Sequence, residues 1–237
     1  MKKITILFII LTLSFENSYS QVIEYNFKNV NSILKYELIL NDNGDSEWRM
    51  IMNAKGDTID AEDFSKSIFK YNNLYYLTEK TISQQLELLD NPKMLWKNDN
   101  TKKITILGYE CLTATTHFRG RNYRAYYTKN DTYKFGPWKF NGLDGIILKI
   151  ESEDGLYIFE ATNIKLDEKK FNVKKLNVFV NQNNFHDWTK FEEIYLIDIK
   201  NYINEQKCNC EDDGKNVLKI SKIEKIHPEL HEVGIIF

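Results

Sequence analysis

Proline, cysteine and arginine are all scarce in this 237-residue chain. Three Pro and ten Gly exclude collagen-like and linker-like sequences. Four Arg stand beside 28 Lys and 25 Asn, a compositional bias that makes most Lys solvated surface rather than a nucleic-acid footprint. The formal charge of −2 removes any need for a polyanionic partner. No apolar run approaches the ~20 residues of a membrane span. Also missing are a G-x-G-x-x-G after a strand, a P-loop, a G-x-S-x-G and an H-E-x-x-H. His227 and His231 have the i, i+4 spacing of two ligands, but Glu229 is misplaced for a zincin base and Pro228 interrupts a helix. No metal, cofactor or catalytic residue is therefore expected, and no acidic pair stands apart from ordinary surface carboxylates.

What is present is a core. Hydrophobic residues make up 42% of the chain and aromatic residues 14%, enough for a folded domain. The N-terminus starts Met1-Lys2-Lys3, continues through an apolar stretch over 4–15, and places Ser18 and Ser20 before Gln21. That order predicts a secretory signal peptide over 1–20, leaving 21–237 as one domain, periplasmic or extracellular. Outside the cytosol a disulfide can persist, yet Cys111, Cys208 and Cys210 are three. Cys111 can bridge to either of the pair or remain a buried thiol, and an incidental Cys208-Asn209-Cys210 is the simplest reading.

Period-two patterning predicts strands. Residues 34–40 and 47–52 alternate around the turn Asn41-Asp42-Asn43-Gly44-Asp45, a hairpin whose first strand is half-buried. Residues 104–118 read as one long strand, turning at Arg119-Gly120-Arg121 into 122–128. A third hairpin joins 145–151 to 156–161, and 173–180 and 217–226 read as further strands. One helix starts at the cap Asp187 and carries Trp188, Phe191, Tyr195, Ile199 and Tyr202 at helical spacing. Residues 54–95 favour no element. The class is α+β, a mostly antiparallel meander with one or two packed helices.

Three of the four Arg, at 119, 121 and 124, interleave with Tyr123, Tyr126 and Tyr127. Used together, such planar forks suit carboxylates or phosphates, so Arg119, Arg121, Arg124 and Tyr126 form a candidate partner-binding set. The plainer reading is a solvated hairpin tip, from which Arg121 could be removed at little cost.

Downstream, Gly136-Pro137 opens a turn, and Gly142-Leu143-Asp144-Gly145-Ile146-Ile147 lets the backbone bend before a strand. This stretch resembles the signature of the GLPGLI family, secreted proteins of Bacteroidota. It departs at Asp144 and within the apolar pair that follows Gly145. Gly108-Tyr109-Glu110-Cys111 and the run from Phe118 to Thr128 extend the resemblance over about 104–165. The resemblance implies an exported β-rich domain, bowl- or half-barrel-like, akin to the N-terminal domain of a flavobacterial peptide:N-glycosidase, with no catalytic residues to transfer. Gly136, Pro137, Gly142, Leu143, Gly145 and Ile146 are then structural. Three functions remain open: a non-enzymatic module binding an envelope partner, a carrier of an apolar ligand, and a hydrolase without a recognisable motif.

Overall fold

The computed structural model describes residues 20–208 except 31, 42, 131–133 and 168–170, then 218–219, 222–226 and 235–236. The expected leader, save Ser20, the His227/His231 pair and Cys210 lie outside the described residues, as does the side chain of Cys208.

One open, curved sheet carries the fold. The chain begins in its middle with β1 (Ser20–Asn29) and moves outward through β2 (Ser32–Leu40), β3 (Ser46–Met52), β4 (Ser67–Tyr71), β5 (Leu74–Lys80) and β6 (Gln85–Asp90). It then crosses to the opposite edge and returns through β7 (Lys97–Ile106), β8 (Tyr109–Phe118), β9 (Arg121–Lys129), β10 (Gly145–Ser152) and β11 (Ile158–Asp167), which pairs with β1. These pairings are antiparallel. The short β12 (Phe185–Asp187) adds to β6 in parallel. The α+β, mostly antiparallel class expected from the sequence is the class observed.

Two-residue turns make several of the hairpins. Asn72 and Asn73, Leu107 and Gly108, and Arg119 and Gly120 all have positive φ at both central positions, which matches the twist of the flanking strands. The second of these turns corrects the reading of 104–118 as one strand. The run is split between β7 and β8, with Ile106 opposite Tyr109. Similar β-favouring residues on both sides of Leu107 hid the break.

Segment 173–180 is not a strand. It belongs to α1 (Val173–Gln182), with the Asn172 side chain accepting from the Lys175 amide at 3.1 Å. Its Val and Phe content favours strand, but Leu176 and Phe179 sit at helical spacing and bury against Phe69 of β4. The second helix, α2 (Trp188–Cys208), begins where predicted, with Asp187 accepting from the Lys190 amide at 2.8 Å. Its Phe191, Tyr195 and Ile199 pack on Tyr75, Leu77 and Leu88. Because Ile68 and Phe69 alternate, α2 shares the face of Ile68, and α1 covers the opposite face. The C-terminal half of β2 is accordingly buried on both faces, Glu37 included, rather than half-buried.

The largest cluster lines the inner face. Ile23, Tyr25 and Phe27 of β1 meet Leu38, Trp48, Ile150 and Phe159 of neighbouring strands. Each such side chain contributes about 1.5–3 kcal/mol through burial. Residues 222–226 do not continue a strand, although 218–219 pair with 235–236. They lie as an irregular strap against the tip of the β8–β9 hairpin, where the Lys225 amide donates to the Arg119 carbonyl at 2.9 Å. A Cβ on Gly120 would stand 2.5 Å from the Lys225 carbonyl oxygen, so the close approach requires glycine there.

Candidate functional site

Alternation along β1 to β5 sends Phe27, Tyr36, Trp48, Met50, Ile68 and Leu77 to one face of the curved sheet, where they line a cavity of about 650 Å³. Tyr36 stacks on Trp48 with centroids 4.7 Å apart, and Phe27 stacks on Phe159 at 4.3 Å. Trp138 enters from the connection between β9 and β10, Tyr157 from that between β10 and β11, Tyr195 from α2, and Lys222, Ile223 and Glu224 from the strap. Lys66 and Lys80 lie on the lining beside Asn29, Ser65 and Thr81. Aromatic and aliphatic walls with polar groups set among them suit a molecule of modest size with a substantial apolar part.

Behind Trp138 the strap is fixed by buried charges. Arg119 holds Asp90 through two bonds of 2.7 Å and reaches Glu224 at 2.6 Å. Lys139, fully buried, lies 2.7 Å from Glu224, 3.2 Å from Asp90 and 3.9 Å from Glu79. Lys222 pairs with Glu79 at 3.0 Å, and the Trp188 ring stacks on the Arg119 guanidinium 3.2 Å from its centroid. Three cations thus meet three carboxylates. Burial acts against the Lys139 ammonium, but Glu224, Asp90 and Glu79 outweigh it and hold its pKa above the ordinary lysine value. Burial likewise opposes the Asp90 carboxylate, and the Arg119 and Lys139 contacts pull its pKa below the usual range. Each carboxylate is engaged, so the cluster is suited to hold the strap rather than to move protons.

The candidate partner-binding residues divide. Arg119 and Arg121 are not a solvated tip. Arg121 is 5% exposed, pairs with Asp154 and donates from Nε to the Ile223 carbonyl at 3.1 Å. Tyr123 donates to the same carbonyl at 2.7 Å. The expectation that Arg121 is a solvated residue removable at little cost is corrected by its burial, because its loss takes away the pair with Asp154 and one of the two donors to the Ile223 carbonyl. Arg124 stays near the surface, 4.0 Å from Glu153, and Tyr126 donates to Glu151 at 2.7 Å. These two face away from Arg121, as alternation along β9 requires.

Gly136 and Pro137 enter a turn in which the Phe140 amide donates to the Pro137 carbonyl at 3.1 Å. Leu143 and Ile146 are buried. The Phe135 amide donates to the Gly145 carbonyl at 3.2 Å and its carbonyl accepts from the Ile147 amide at 2.8 Å, around the start of β10. A smaller hollow of about 250 Å³ lies against residues 142–144, beside Met94 and Trp96. Cys111 is a buried free thiol whose pKa burial raises to about 11. Among the described residues no group of three or more His, Cys, Asp or Glu is arranged to hold a metal ion.

Sequence reasoning missed Lys139, Asp90, Glu79 and Glu224. The available signal was a lysine set between two aromatic residues, Trp138 and Phe140.

No family model matches the chain, and no curated protein matches it. Solved structures do. PNGF-II in two crystal forms aligns with TM-scores of 0.51 and 0.52 at 18% and 19% identity, over 76% of this chain. The likeness is one of fold. The chain spans about a third of PNGF-II, 33% and 34% in the two forms. The MucA/MucB complex of Pseudomonas aeruginosa aligns with a TM-score of 0.38 at 10% identity, over 67% of this chain and 56% of the other. A LolA superfamily protein, NE2245 from Nitrosomonas europaea, aligns at 0.30 and 10% identity, over 68% and 90%. Among the described residues no helix is long and apolar enough to cross a membrane.

Proposed function

We propose that this chain is an exported, non-enzymatic binding module of the GLPGLI type, which carries an apolar ligand on the inner face of its curved sheet. The cavity carries the reading. It offers about 650 Å³, within the range of small-molecule sites, and aromatic and aliphatic side chains make up about half of its lining. The nearest carboxylates, Glu79 and Glu224, are neutralised by Lys222, Lys139 and Arg119, which supports binding over catalysis. Export has separate support from the basic, apolar and small-residue order of the first twenty residues. Val22 and Ile23 of β1 are buried, and cleavage after Ser20 retains them with the rest of the central strand from Gln21.

Titration with the neutral dye N-phenyl-1-naphthylamine tests the reading. Saturable fluorescence enhancement is expected from the wild type. Ile68→Trp, which fills the cavity, should weaken it at least tenfold while leaving the circular dichroism spectrum unchanged. Met50→Trp serves the same purpose from the neighbouring strand. A dye that binds both filled variants as well as the wild type would remove the cavity from the account.

A further inference from the structure

The charges on the cavity wall are not balanced locally. Five acidic or basic side chains line it: Glu79, Glu224, Lys66, Lys80 and Lys222. Glu79 pairs with Lys222, and Glu224 is taken up by Lys139 and Arg119. Asp63, the nearest acid in sequence to Lys66, accepts from the Ser65 amide and hydroxyl at 3.1 and 2.6 Å. Thr81 donates to Asp198, whose carboxylate also takes the Ser83 hydroxyl at 2.7 Å. Among the described residues Lys66 and Lys80 have no carboxylate partner. They are neighbours in the fold, because β4 and β5 pair with Ile68 opposite Leu77 and so bring both lysines to the same end of the sheet. Lys80 is exposed and Lys66 half-buried, and both contribute to the lining of the cavity.

An apolar floor with two uncompensated cations at its edge complements a molecule with an apolar body and one anionic end. Resting on the reading of the cavity as a ligand site, we propose that its ligand is a single-chain anionic amphiphile, the chain against Phe27, Tyr36 and Trp48 and the head group at Lys66 and Lys80. A fatty carboxylate and a lipid phosphate share this chemistry. A doubly charged phosphate gains more from two lysines than a carboxylate does.

The test is displacement of bound N-phenyl-1-naphthylamine by twelve-carbon chains differing only in the head: dodecanoate, dodecyl phosphate and dodecyltrimethylammonium, each below its micellar concentration. For the wild type, both anions should displace the dye at about tenfold lower concentration than the cation, and the gap should narrow in high salt. In Lys66→Gln/Lys80→Gln the gap should close, with affinity for the neutral dye retained as proof of fold. The stronger anion identifies the carboxylate or the phosphate source. Equal displacement by anions and cation in the wild type, or a preference that survives the double substitution, would overturn the head-group assignment. No dye binding to the wild type would instead overturn the cavity reading beneath it.

Discussion

Gly145→Val should lower the stability of the fold by about 3–5 kcal/mol. Gly145 opens β10 at φ +156, opposite Lys129 of β9. A Cβ there would run into the Thr128 carbonyl oxygen and stand 2.8 Å from its carbon. Both are backbone atoms of the paired strand, so no rotamer change relieves the contact. The register of β9 on β10 must give way, and with it the seating of Ile146, Ile147 and Leu148. Asp144→Ala is the control. That side chain is exposed and, among the described residues, pairs with exposed Lys134, so its loss should leave the urea midpoint unchanged. A Gly145→Val protein with the wild-type midpoint would show that the signature turn does not fix the sheet.

Lys139→Met should cost a similar amount, about 3–5 kcal/mol, because it leaves three carboxylates facing two cations in a buried cluster. The urea midpoint should fall by about 1–2 M. Adding Glu224→Gln removes the excess negative charge. The double variant should therefore be more stable than the sum of the two single losses by about 1–3 kcal/mol. Additive losses would mean that the ion pairs do not couple.

The same cluster sets an acid limit. The Asp90 pKa is held below its unfolded value, so its contribution is complete above about pH 4 and is lost as the pH falls through the depressed folded value. The Lys139 pKa is raised, so its contribution is complete below the ordinary lysine value and fades only as alkali passes the folded one.

These two sites also mark how far the sequence could be read. The β2–β3 hairpin was legible because a run of Asn, Asp and Gly separates two alternating segments, and α2 because Asp187 precedes a regular aromatic stripe. Both signals are local. Segment 173–180 misled because Val and Phe are favoured in strands while the face they bury is supplied by β4, distant in sequence. The charge cluster was illegible for the same reason. Lys139 meets Asp90 across 49 residues and Glu224 across 85, and no spacing rule links positions so far apart. The arginine group drew notice for its composition, yet Arg119 and Arg121 turned out to clasp the chain's own strap at Glu224 and Ile223. The cavity needed the curvature of the whole sheet, which no single strand records.

Its occupancy is the central claim, and two methionines can report on it. Met50 lines the large cavity, while Met94 lines only the small hollow beside residues 142–144. With methyl-13C methionine, titration of N-phenyl-1-naphthylamine should move the Met50 methyl resonance saturably and leave that of Met94 in place. Ring currents from Trp48 and from the dye make the Met50 probe sensitive. A spectrum in which Met94 moves and Met50 does not, or in which neither responds at saturating dye, would contradict the assignment of this cavity as the binding site.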